Sequence, residues 1–411
     1  MLKLPAHSKD PLLWCWGIAI AYLVLVWVNL AIPSKPYFDE VHYVPAARSL
    51  LALKQANPEH PLLGKEAIAA TIWLFDDFSL VWRIPSALMG TVGLFAFGRM
   101  LWWGTRRRFA TLAGMVLLAS DFAWFIQSRI AMLDMVMAGF AMLALWQVTA
   151  ALAVRRPRWR LAVAGMAFGL AMAAKWSVVP VIVLTGLVLF ISLWRKPRVL
   201  TGISLIELPL WIGLLPLLVY AISFTPAFFY TDNPLSPFGL VQWHHTMIAL
   251  QDSVTKTHPY QSQWWQWVIN WRAIWYLYEV TDGAQRGVLL IGNPLTMLAG
   301  LPALGWCVWR RHWSGVMLVG LYAVSLGMWA ISGKPVQFYY HYLLPSTFLM
   351  AMLALMLDDL WRCKGARRWL APVVLAGSVA LFIWFYPILS SAPLQHGHAS
   401  FEHWMWLNSW R

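Results

Sequence analysis

About eleven stretches of nearly uninterrupted apolar residues, at roughly 12–32, 84–103, 109–127, 131–153, 161–175, 177–194, 200–224, 286–309, 313–331, 339–359 and 369–389, leave this chain few ways to fold. Roughly 20 such residues in a helix cross the hydrocarbon core of a bilayer, and a helix satisfies its own backbone polar groups where no water can. The pattern predicts an all-α polytopic membrane protein with about 11 transmembrane helices. With 60% hydrophobic and 12% charged residues, the chain is too apolar for an ordinary soluble globule. The first run is too long for the apolar part of a signal peptide and lacks a small-residue cleavage site after it, so it reads as the first span.

A net charge of +14 would point to nucleic acid in a soluble protein. Here the cations have a topological explanation. They cluster at Arg106–Arg108, Arg155–Arg160, Arg195–Arg198, Arg310–Arg311 and Arg362–Arg368, each between two apolar runs, and all fall on one side if the helices alternate in direction. That side, with Lys3 and Lys9, is read as the inside, and no nucleic-acid partner is expected. Asp39, Glu40, Glu59, Glu66, Asp76, Asp77, Asp232, Asp252, Glu279 and Asp282 then fall outside, as does the tail from Ser390. The outer face is where chemistry is expected. Cys15, Cys307 and Cys363 lie near inner helix ends, which argues against a disulfide. Many of the 29 Trp residues stand at run ends, as in an interfacial aromatic belt.

Two outer segments are longer than a connection requires. Residues 33–83 contain two short amphipathic stretches, near Val41–Leu53 and Lys65–Phe75, suited to helices lying in the interface. Residues 225–285 are rich in Pro, His, Trp and Tyr. No solenoid-length repeat and no separate soluble domain is evident, so residues 1–411 read as one membrane domain.

Five polar constellations interrupt the apolar pattern. The first is Asp39-Glu40 with His42, followed by Glu59-His60 and Lys65; a carboxylate can take the proton of a hydroxyl nucleophile as the new bond forms, though an acidic pair also serves as a plain interfacial charge. The second runs from Gln127 through Arg129 to Asp134, with Asp121 before it. The planar guanidinium of Arg129 suits a phosphate, the alternative being an ion pair with Asp134 or Asp121 that fixes the helix turn. The third and fourth are Lys175-Trp176 and the stretch from Lys334 through Tyr340 and His341 to Tyr342; the lysines either meet a ligand or snorkel to headgroups. The fifth is His258-Pro-Tyr260-Gln-Ser262-Gln-Trp264-Trp265-Gln-Trp267, whose aromatic faces suit a sugar or a peptide and equally suit anchoring at the interface. His396, His398 and His403 make only an accidental metal set, and no metal site is assigned. Walker and glycine-rich nucleotide motifs are absent, so a carrier lipid supplied within the membrane fits better than an ATP or nucleotide-sugar engine.

In order along the chain, Phe38-Asp-Glu-Val-His42, His60-Pro-Leu-Leu-Gly-Lys65, Arg83-Ile-Pro-Ser-Ala-Leu-Met-Gly90, Ser128-Arg-Ile-Ala-Met-Leu-Asp134, Lys175-Trp176, the His258–Trp267 stretch, Gly292-Asn-Pro294 and Phe338-Tyr-Tyr-His-Tyr342 resemble the bacterial form of the protein O-mannosyltransferase family, in the C-type glycosyltransferase superfamily. The resemblance implies a membrane enzyme that moves mannose from a polyprenyl-phosphate carrier to Ser or Thr hydroxyls of a protein or peptide, inverting the anomeric carbon without an obligatory metal or other cofactor. It implies Asp39 as catalytic base with Glu40 in support, and Arg129, with Lys175 and Lys334, toward the donor phosphate. His42, Glu59, His60, Lys65, Arg83, Asp134, His258, Tyr260, Ser262, Trp264, Trp265, Tyr340 and His341 are the residues expected to bind substrate or shape the loops. Two departures stand out. Leu62 replaces the second Pro of the His-Pro-Pro element and Pro58 replaces an acid, with Glu59 one place off; the large outer lectin-like domain of eukaryotic members is absent. A related transferase that modifies a glycolipid, of the aminoarabinose type, and a carrier-lipid flippase are the alternatives. The expected setting is a bacterial inner membrane, with the N-terminus cytoplasmic, the site facing the periplasm, and membrane lipids, secretion machinery or a second copy of the chain as neighbours.

Overall fold

The computed structural model describes residues 9–253, 255–395 and 399–411. Lys3, counted above with the inner cations, and the tail histidines His396 and His398 lie outside the described residues. The helices are α1 (Leu12–Trp27), α2 (Glu40–Leu51), α3 (Leu63–Phe75), α4 (Ser79–Thr105), α5 (Arg108–Ala119), α6 (Phe122–Gln127), α7 (Leu133–Ala151), α8 (Arg158–Ala174), α9 (Val179–Arg195), α10 (Glu207–Pro209), α11 (Leu215–Ile222), α12 (Leu240–Asp252), α13 (Trp264–Val268), α14 (Pro294–Arg310), α15 (Trp313–Ile331), α16 (Leu343–Trp361) and α17 (Leu370–Leu389). Among the described residues seven helical segments are long and apolar enough to cross a membrane, and α1 and α5 are shorter apolar helices.

The core is helix on helix. α4 packs on α7, α7 on α8, and α16 on α5, α14 and α15. α7 and α16 are enclosed, whereas the segments containing α9, α11, α15 and α17 turn apolar side chains outward, as helices in lipid do. Gly165 and Gly169, four apart on α8, let it approach the α11 segment closely: a Cβ on Gly165 would stand 2.1 Å from the Trp211 carbonyl oxygen, and one on Gly169 2.7 Å from that of Pro216. Single members of the basic clusters meet acids, Arg107 at 2.7 Å from Asp359, Arg362 at 2.9 Å from Asp358 and Arg158 at 2.6 Å from Glu207, and Arg99 of α4, outside the clusters, lies 2.5 Å from Asp10.

The two amphipathic stretches of the first outer segment fold as α2 and α3. Two apolar runs do not fold as read. Residues 109–127 break at Ser120-Asp121 into α5 and α6, where the Asp121 carboxylate caps α6 by accepting from Trp124 N at 2.8 Å. Residues 286–309 begin as a strand. β1 (Ile274–Thr281) and β2 (Ala284–Leu290) form an antiparallel hairpin with Thr281 opposite Ala284. Its turn is Asp282-Gly283, both with positive φ (48° and 73°), the geometry that matches the twist of paired strands. The helix starts only at Pro294, after Asn293 has capped it by accepting from Leu295 N at 3.2 Å.

Candidate active site

The site grows from the chain that leaves α1. Beyond Trp27 the helix leaves carbonyls without intrahelical partners, and two buried arginines collect them. Arg129 Nη1 donates to the Val26 and Val28 oxygens at 2.5 and 2.7 Å, and Nη2 to Asn29 and Ser390 at 3.2 and 3.3 Å. Arg83 Nη1 donates to Leu30 and Pro33, both at 2.9 Å. The remaining donors of Arg83 make a fork to Glu40, Nε to Oε1 at 2.8 Å and Nη2 to Oε2 at 2.9 Å, in a pair with no solvent exposure. Glu40 Oε1 also accepts from Ala131 N at 2.8 Å, and Oε2 from Tyr37 N at 3.3 Å. One carboxylate thus locks the start of α2 to α4 and to the loop before α7.

This setting bears on two expectations. Arg129, expected toward a phosphate, is 5% exposed and its guanidinium clasps backbone. Glu40, expected to support Asp39, has both oxygens engaged at the start of α2. Lys65 is likewise inward, its ammonium donating to the Asn57 and His60 oxygens at 2.6 and 2.9 Å and so folding the loop that carries Glu59 and His60. Burial holds the Lys65 ammonium down to about 7.

Asp39 is different. It stands at the N-cap of α2, yet its side chain makes no capping bond. Phe38 before it adopts a left-handed φ of 49° and stacks on Tyr276 of β1, ring centroids 3.9 Å apart. Burial pushes the Asp39 carboxyl up to about 6; Lys175, His42 and Lys334 pull it down, and Asp134 pushes it up. Those groups converge from distant segments. Asp134, in the first turn of α7, accepts from Lys175 Nζ through both oxygens at 2.7 and 2.8 Å, where α8 ends. The same ammonium lies 4.9 Å from the Tyr340 ring centroid. Lys334 is half-buried and held below the ordinary lysine range by burial and by Lys175. His60 stays well below the usual imidazole range through burial and the Lys175, Lys65 and Lys334 charges, so it is neutral at neutral pH.

A cleft continues inward from Asp134, lined by Ser177, Ser325, Trp329, Tyr340 and His341. His341 is fixed in it, its Nδ1 accepting from Phe338 N at 3.0 Å and its ring stacked on Trp329 at 3.8 Å. The structure therefore brings together Asp39, His60, Asp134, Lys175, Lys334, Tyr340 and His341, with His42 exposed at the rim. Glu59 stays in its loop, accepting from Asn57 Nδ2 at 2.7 Å. The fifth constellation mostly scaffolds. Ser262 N donates to the Gln337 oxygen and its Oγ accepts from Trp267 Nε1, both at 2.8 Å, which docks α13 beside the Lys334–His341 stretch. Trp264 and Trp265 are exposed, and His258 packs on both Tyr260 and Phe338. Tyr276 was missed by sequence reasoning. Its hydroxyl accepts from Gln127 Nε2 at 3.0 Å, and it feels both Asp39 and Asp134; the alternating aromatics of residues 274–278 were the available signal.

Among the described residues no group of three or more His, Cys, Asp or Glu side chains is placed to hold a metal ion. What the cluster offers is a half-buried carboxylate of raised proton affinity within the fields of two lysines, with the Tyr340 ring beside one of them.

The family model described as dolichyl-phosphate-mannose-protein mannosyltransferase matches residues 78–230, and that of the C-terminal four-span region of protein O-mannosyltransferase matches 238–313. The chain is similar to the polyprenol-phosphate-mannose–protein mannosyltransferases of Mycolicibacterium smegmatis, at 28% identity over 97% of this chain and 93% of that one, and of Mycobacterium tuberculosis, at 29% over 93% and 88%. In fold it is similar to a chain of the Saccharomyces cerevisiae protein O-mannosyltransferase Pmt1–Pmt2 complex bound to the sugar donor, with a TM-score of 0.86 at 14% identity over 98% of this chain and 93% of that one. ArnT from Cupriavidus metallidurans bound to undecaprenyl phosphate is a looser likeness, with a TM-score of 0.56 at 15% identity over 91% and 76%. Fold, ordered motifs and family models agree that the chain belongs to the protein O-mannosyltransferase family.

Proposed function

We infer that this protein transfers mannose from a polyprenyl-phosphate carrier to Ser or Thr hydroxyls of a polypeptide, with Asp39 as general base and Lys175 and Lys334 facing the carrier phosphate. The observation that carries the assignment is a half-buried carboxylate that makes no capping bond and lies within the fields of two lysines. In the reaction the acceptor oxygen attacks the anomeric carbon from the face opposite the phosphate, so the configuration inverts. Asp39 takes the hydroxyl proton as the new C–O bond forms. The bond between the anomeric carbon and the phosphate oxygen breaks, its electron pair leaves with the phosphate, and fixed cations stabilise the growing negative charge. Asp134 holds Lys175 in place, and the aromatic face of Tyr340 suits a sugar ring.

The orientation follows from the basic clusters: they belong at the cytoplasmic side of a bacterial inner membrane, and the pocket at the outer face. The test is transfer by the purified full chain in lipid vesicles, given carrier-linked mannose with either a Ser/Thr-rich peptide or a glycolipid. Mannosylated peptide is the expected product; a mannosylated glycolipid with an untouched peptide overturns the acceptor assignment.

A further inference from the structure

Beside the charged pocket, a polar chain ties three elements together and takes no part in the reaction described above. Trp176, the residue after Lys175, donates its Nε1–H to the Tyr220 hydroxyl at 2.9 Å, and that hydroxyl lies 2.6 Å from His244 Nε2. His244 Nδ1 is 2.6 Å from the Leu240 oxygen. A carbonyl can only accept, so Nδ1 carries the imidazole proton, Nε2 is the acceptor, and Tyr220 donates to it. The rings add packing, since His244 lies nearly parallel to Trp176 with centroids 5.7 Å apart and an angle of 11°.

His244 sits on α12, and the far end of that helix is tied to the other wall of the pocket: Gln251 Nε2 donates to the Glu59 oxygen at 2.7 Å. Its exposed face is mixed, with Val241 68% and Ile248 49% exposed beside Gln242, His245 and Thr246, and Phe238 just before the helix is 94% exposed. Apolar and polar side chains side by side suit a helix lying in a membrane interface with its other edge on protein. The protein edge here touches both the Lys175–Trp176 turn and the Glu59–His60 turn.

We propose that His244 is a positioning residue: with Tyr220 it latches α12 onto the Lys175–Trp176 turn, and the latched helix is the side wall past which the phosphate end of a polyprenyl carrier reaches Lys175. The inference rests on the carrier-dependent reading above. It concerns delivery and aim of the donor, not proton transfer, and so separates from the chemistry of Asp39.

His244→Phe keeps a flat ring and removes both polar contacts; Tyr220→Phe removes one hydroxyl; His244→Gln restores an acceptor near Nε2. In vesicles holding the full chain, the two Phe variants should raise the KM for carrier-linked mannose about three- to tenfold, with kcat and the peptide KM within about twofold, and the double variant should be no worse than either single one, because both cut the same chain. The Gln variant should recover most of the donor KM. Hydrogen–deuterium exchange across residues 240–252 reads the latch without turnover and should speed up by a similar factor in both Phe variants. An unmoved donor KM in an active enzyme, or exchange unchanged from the parent, overturns the latch. A parent enzyme that fails to use the carrier overturns the functional reading instead, and exchange still decides whether the latch exists. If His244→Phe does not fold, the milder Tyr220→Phe carries both measurements.

Discussion

Asp39 and Glu40 are adjacent carboxylates with opposite fates, and the difference lies in who touches them. Glu40 is spent on Arg83 and two backbone amides, while Asp39 has lysines in its field and no capping duty. Asp39→Asn should therefore fold and lose about 10²- to 10⁴-fold in kcat, the usual share of a general base; retained turnover removes Asp39 from that role. The carboxyl sits at about 6 and must be ionised to accept a proton. Activity should accordingly climb with pH through about 6 and level off above it, falling about tenfold per pH unit on the acid side; a flat kcat/KM profile from pH 5 to 8 contradicts this. The two phosphate candidates divide in the same way. Lys175→Met should raise the donor KM at least about tenfold, the worth of a charge-assisted contact, whereas Arg129→Ala should leave that KM nearly unchanged and lower the unfolding temperature by taking the donor from the Val26, Val28 and Ser390 carbonyls. The reverse pattern in donor titrations would return the clamp to Arg129.

At the scale of elements, the Arg83–Glu40 fork decides whether α2 can present Asp39 at all. Arg83→Ala leaves a buried, uncompensated carboxylate and should destabilise the fold by about 3–5 kcal/mol, measured by unfolding in detergent. A loss below about 1 kcal/mol would mean that water takes over the guanidinium's place. The sequence was readable here to an uneven depth. The amphipathic periods of α2 and α3, and most of the long helices, follow directly from the spacing of apolar residues. The hairpin was hidden because Val288-Leu-Leu-Ile291 is apolar enough to extend the span behind it, and a short buried strand has the same composition as a helix end. Arg129 shows the complementary limit: its residue type suits a phosphate, and only the tertiary path of the α1 exit shows that carbonyls have already taken its donors.

Across the whole molecule, charge is sorted to two ends for two purposes. At one end lie the basic clusters, of which Arg107, Arg158 and Arg362 meet Asp359, Glu207 and Asp358. At the opposite end Lys334 reaches the pocket from the far half of the chain, within the fields of Asp39 and Asp134. That gathering has a consequence for how the protein is made. The carboxylate proposed as base is residue 39, and Tyr340 and His341 of the same cluster are residues 340 and 341. At translation speeds of roughly 5–20 residues per second, Asp39 waits about 15–60 s for its surroundings. The nascent protein therefore lacks the completed cluster for most of its synthesis, and any message cut short before the codon for Tyr340 yields a chain whose proposed base stands without its late-arriving neighbours.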